Sequence, residues 1–96
     1  MSNSTWTHKF DVSDVFNNDD LFTASKGVII ADRIRKQSWF GEVNIFGELD
    51  DICDGLSEIA EYTGKAFGNE AEEEFDGWWD RFYDLADHYR VWVVTR

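Results

Sequence analysis

Phe75, Trp78, Trp79, Phe82, Leu85, Ala86 and Tyr89 follow the three-and-four-residue rhythm that draws one apolar stripe along an α-helix. Almost all of that stripe is aromatic, and each such ring buries about 150–250 Å² when it leaves water. Whatever this chain folds into must therefore wrap other elements around a helix that runs from about Asn69 to Tyr89. Asn69 to Glu72 has the form of a capping box, which marks the start of that helix.

A second helix is predicted from about Ile45 to Thr63, where Leu49, Ile52, Cys53, Leu56, Ile59 and Ala60 keep the same rhythm. Gly64 is a suitable stop, and Lys65 just beyond it complements the helix C-terminus. Between Leu21 and Lys36 the spacing of Leu21, Ala24, Val28, Ala31 and Arg35 favours a helix. The β-branched run Val28, Ile29 and Ile30 after Gly27 leaves a strand open there. Thr5 to Val12 alternates Trp6, His8, Phe10 and Val12 with polar residues, the period of a half-buried strand. Val91 to Val94 is a compact β-prone run. Asp14 to Asp20 reads as a turn or one short helical turn, and Trp39 and Phe40, between Ser38 and Gly41, fall in a loop. The expected fold is α+β: one domain over 1–96, with a small antiparallel or mixed sheet of N- and C-terminal strands covered by two to three amphipathic helices.

The charge is unusual for such a domain. The net charge of −11 exceeds the roughly 2–8 carried by most small domains. Disorder does not account for it, because 43% of the residues are hydrophobic and 17% aromatic. Fifteen carboxylates lie between Glu42 and Asp87, against only Lys65 and Arg81. On helical wheels, Asp50, Asp54, Glu58 and Glu61 form one acidic stripe, and Glu73, Asp76, Asp80, Asp84 and Asp87 form another. At 1.5 Å per residue the stripes extend about 16 and 21 Å, and a short Gly64–Gly68 connection would let them share one face.

Exposed helix faces ordinarily alternate Glu with Lys or Arg at i,i+4, gaining about 0.2–0.5 kcal/mol per pair. Here seven successive pairs are like-charged, which costs about 1.5–3.5 kcal/mol before screening. The macrodipole also disfavours Glu58 and Glu61, and Asp84 and Asp87, near helix C-termini. A solvated face does not need this pattern, whereas a surface that meets something strongly positive does. Proteins that bind nucleic acid display Lys and Arg towards phosphates, and rows of carboxylates on rigid helices can occupy the same groove. The nine stripe acids are thus the candidate partner-binding residues. The basic cluster Arg33, Arg35 and Lys36 is expected to pair with the protein's own acids.

In size, acidity and compact α/β pattern the chain resembles small phage-encoded anti-CRISPR proteins of the DNA-mimic kind, particularly inhibitors of type I surveillance complexes. The segments DDICDGLSEIAE and NEAEEEFDGWWDRFYDLAD carry this resemblance. It implies a non-enzymatic inhibitor that occupies the basic DNA- or PAM-recognition surface of a Cas subunit in the host cytoplasm and blocks target-DNA binding. The same electrostatics would suit an immunity protein or antitoxin that neutralises a basic nuclease.

Catalytic signatures are sparse. No Gly-rich phosphate loop, G-x-S-x-G or Glu-x-x-His occurs, and neither DVFNNDD nor DDICDGLSE fits an EF-hand loop. His8 is expected on the buried strand face, and His88 on the surface near Arg81 and Asp84. Cys53 reads as a small core residue, and as a lone cysteine it forms no internal disulfide. Neither a cofactor nor a metal is expected. The opening MSNSTWTHKF lacks a basic region before an apolar run, and nowhere do eighteen apolar residues stand in succession. A cytoplasmic monomer that binds a basic protein, with no membrane and no direct nucleic acid, is the expectation. Trp78 and Trp79 point about 100° apart, so either both fill the core or one is an exposed anchor.

Overall fold

A computed structural model describes residues 5–62 and 68–96. The elements run β1 (His8–Asp11), α1 (Ser13–Phe16), α2 (Thr23–Arg35), α3 (Phe40–Val43), α4 (Glu48–Glu58), a 3₁₀ turn (Ile59–Tyr62), α5 (Gly68–His88) and β2 (Val91–Val94). The segment left open between helix and strand is helix, since Val28, Ile29 and Ile30 lie inside α2. The expected stop at Gly64 and the Lys65 beside it lie outside the described residues. α5 opens at Gly68, one residue before Asn69, so the proposed cap falls inside the first turn.

The two strands do pair, but in parallel, with His8 opposite Val91 and Asp11 opposite Val94. An antiparallel or mixed sheet was the expectation, and it fails for a topological reason. Antiparallel neighbours are favoured when a hairpin joins them, whereas here all five helices intervene, and a long crossover suits parallel strands. The chain leaves α5 at His88 and turns at Arg90, whose φ of 61° is left-handed. The Arg90 carbonyl then accepts from the N–H groups of Thr7 (2.9 Å) and His8 (3.2 Å), which starts the ladder.

One face of this sheet rests on α5. Phe10 of β1 meets Phe82 at 5.5 Å between ring centroids, and Trp79 lies 5.0 Å from Phe82 and 4.9 Å from Phe16. Trp39 lies, as expected, in the connection before α3, at the position that precedes its first turn, but it is buried there and meets the Phe10 ring edge-on at 5.8 Å. Its indole N–H donates to the Lys9 carbonyl at 3.4 Å. Phe40 starts the single turn of α3, too short to show a helical period in sequence.

Beside the sheet, α4 packs against both α5 and α2. Leu49, Ile52, Cys53, Leu56 and Ile59 are all buried there. The approach of α2 to α4 is set by Gly27, because a Cβ placed on it would overlap the Leu56 carbonyl group. α1 is fastened to α2 by a two-pronged ion pair, with Arg33 Nη1 and Nη2 donating to the Asp14 carboxylate at 2.6 and 3.0 Å. Asp11 precedes α1 and accepts from the Ser13 backbone N–H (3.0 Å) and hydroxyl (2.7 Å). These bonds hold the Asp11 and Asp14 carboxyls below the usual carboxylate range, through Ser13 for Asp11 and Arg33 for Asp14.

Gly27→Ala is expected to lower unfolding free energy by about 1–3 kcal/mol, since backbone rather than a movable side chain must give way. Gly77→Ala, in an open stretch of α5, is expected to raise it by about 0.5–1 kcal/mol. Urea denaturation of the two variants checks both signs. Asp14→Asn is expected to destabilise the protein at neutral pH. Because the folded-state pKa of Asp14 is depressed, the gap to the parent is full above its unfolded value and closes as pH falls through the folded one. Paired denaturation curves at stepwise lower pH measure that closure.

Candidate protein-binding surface

α5 turns its aromatic stripe inward, so its opposite side must face water, and the acids lie there. Glu73, Asp76, Asp80, Asp84 and Asp87 are all exposed. Among the described residues, none of the five forms an ion pair with a lysine or arginine. The row is thus a bare ridge of carboxylates about 21 Å long, backed by a helix that buried rings hold in place.

The α4 row is different. Arg35 reaches across from α2, its Nη2 donating to Asp54 Oδ1 at 2.7 Å while its Nε lies 3.7 Å from Asp50 Oδ1. Asp50 also accepts from Asn44 Nδ2 at 3.0 Å. Hydrogen bonding to Asp54 raises the Arg35 pKa further, which keeps it charged. Only Glu58 and Glu61 of this row remain exposed without a cationic partner among the described residues, and they border a shallow depression with Arg35, Asp54 and Ser57. The other basic residues of the expected cluster are also paired internally, Arg33 with Asp14 and Lys36 with Asp32 at 2.9 Å.

Nor do the rows merge into one face. Gly55 turns towards α5, where the Trp78 indole fills the space that a side chain would need. Asp50 and Asp54, about 100–140° away around α4, point towards α2. The stripes are separate ridges on different flanks. Between α4 and α5 lies a groove bordered by Glu48, Ile52, Arg81, Asp84, Leu85 and His88, which puts His88 near Arg81 and Asp84 as expected.

Both tryptophans of α5 are used internally. Trp79 is buried, and Trp78 covers Gly55 on one side while the Arg81 guanidinium stacks 4.6 Å from its ring centroid. His8 is half-buried, and its Nε2 lies 3.0 Å from Glu42 Oε2. Cys53 is buried, and desolvation pushes its thiol up to about 11, far from the range of a reactive thiolate. Among the described residues no three His, Cys, Asp or Glu side chains gather as metal ligands, and no helix is long and apolar enough to cross a membrane.

Sequence reasoning passed over Ile45 and Phe46, both strongly exposed and both assigned to the edge of the second helix. The signal was present: Asn44 and Gly47 bracket them as turn residues do. The expectation that Arg35 pairs with the protein's own acids holds, but its partners Asp50 and Asp54 were not foreseen, since periodicity says nothing about which side chains meet across two helices. Compared with protein-family models, curated proteins and solved structures, the chain matches none, so any assignment of function rests on its own residues.

Proposed function

We propose that this protein is a non-enzymatic inhibitor that sits on the basic nucleic-acid-binding surface of a partner, its carboxylates standing where phosphates would. A Cas subunit of a type I surveillance complex is the partner class that its acidic helices suggest, and blocked recognition of target DNA is the consequence. The observation that carries this reading is the α5 ridge: five exposed carboxylates without cationic partners among the described residues, on a helix anchored by rings. A neutralised surface would steer nothing. An unneutralised one on a rigid backbone raises the encounter rate with a positive groove and forms charge-assisted bonds with its arginines. Direct binding to DNA is not expected, because phosphate would meet its own sign.

The ridges are not equivalent in this reading. Asp54 already bonds Arg35, so the α5 ridge and the Glu58–Glu61 end of α4 are the surfaces free to engage a partner. The test is affinity purification from host lysate, with and without nuclease treatment, followed by binding kinetics on the protein recovered. Asp80→Lys combined with Asp84→Lys is expected to preserve the fold, slow association roughly tenfold or more at low salt, and lose much of that effect at high salt. Recovery of a lone nuclease would favour an immunity role instead. Unchanged association after reversal on both ridges would remove the carboxylates from the mechanism.

A further inference from the structure

A tight turn joins α3 to α4. Asn44, Ile45, Phe46 and Gly47 form a β-turn, closed by the Gly47 N–H donating to the Asn44 carbonyl at 3.3 Å. Gly47 adopts a left-handed φ of 75°, open to glycine at little cost, as the chain enters α4. The two central positions of such a turn usually hold Pro, Asn, Asp, Ser or Gly. Here they hold isoleucine and phenylalanine, with 62% and 77% of their surface exposed.

The tip is also braced. The Asn44 side chain donates to Asp50 Oδ2 while its Oδ1 accepts from the Asp50 backbone N–H, both at 3.0 Å. The loop is thereby clasped to the first turn of α4, and little further freedom is lost when it docks. Two adjacent apolar side chains held out on a braced turn have the form of a binding anchor rather than of a loop optimised for water. Carboxylates surround the anchor in sequence: Glu42, Glu48 and Asp51 are exposed, and no lysine or arginine occurs between Lys36 and Lys65.

We propose that Ile45 and Phe46 are the apolar anchor of the partner interface, and that they enter an apolar pocket rimmed by Lys and Arg on a nucleic-acid-binding protein. Such proteins combine a positive track for the backbone with aromatic platforms on which bases stack. Phe46 would take the place of a base while the nearby carboxylates follow the phosphate track, so this inference rests on the competitor reading above. A second copy of the chain is the poorer occupant, because two molecules of net charge −11 repel each other.

Two synthetic peptides of equal positive charge test the chemistry, one with Leu-Trp-Leu between its flanking lysines and arginines and the other with Ser-Gly-Ser. In amide NMR titrations at low salt, the apolar-centred peptide is expected to bind about tenfold tighter than its polar twin and to shift the Asn44–Gly47 amides. Phe46→Ser should abolish that preference while leaving the rest of the spectrum and the affinity for the polar twin unchanged. Equal binding of both peptides, with Phe46→Ser silent, overturns the anchor and leaves the acidic ridges standing. Docking on the turn that is insensitive to salt and to charge reversal keeps the anchor and removes the competitor reading. Failure of the apolar-centred peptide to bind, or salt-independent dimerisation lost in Phe46→Ser, overturns the anchor.

Discussion

Burial of the α5 aromatic face is the constraint on which the rest of this structure depends. Trp79 is its hub, in ring contact with Phe16, Phe75, Phe82 and Tyr83, and Phe82 passes the contact on to Phe10 of the sheet. Each edge-to-face or offset ring pair adds about 0.5–1.5 kcal/mol beyond the area that it removes from water. Because the sheet, α1 and α4 all lie against this one helix, its rotation about its own axis is fixed. Fixing the inner face fixes the outer one, and so the direction in which five carboxylates point.

The same comparison decides which effect wins along α5. Four neighbouring like-charged pairs on the ridge cost about 1–2 kcal/mol before screening. Burying Phe75, Trp79 and Phe82 contributes about 1.5–3 kcal/mol for each ring. The aromatic face therefore tolerates the ridge with a wide margin, and no counter-ion is needed on it. α4 has no comparable aromatic face, and there the acids that approach α2 are answered by Arg35. Among the described residues the whole α5 ridge is left uncompensated, whereas on α4 only the Glu58–Glu61 end is.

The sequence shows the helices clearly because their signal is local. The stripes of α4 and α5 predict both elements to within a few residues, and Cys53 and His88 fall where the wheels put them. Strand direction was not legible, since it follows from how the described helices carry the chain between β1 and β2 rather than from any local pattern. The pairing of Arg35 with Asp50 and Asp54 was hidden for a related reason. It depends on how closely α2 and α4 approach, which Gly27 governs from eight residues away. Ile45 and Phe46 were misplaced because apolar residues beside an amphipathic helix resemble its continuation. Only the Asn44 clasp and the Gly47 torsion set them apart.

The parallel pairing of β1 with β2 also orders events in time. Thr7 and His8 find their backbone partner at Arg90, some eighty residues later, so during synthesis β1 emerges well before the strand that it pairs with. Local helices form in microseconds or less, whereas closing a loop of that length is slow and entropically opposed. Until β2 arrives, Phe10 and Val12 have only the helical face to rest on. The sheet thus closes a loop that spans most of the fold, a latch across the aromatic helix that binds β1 to the far end of the described chain.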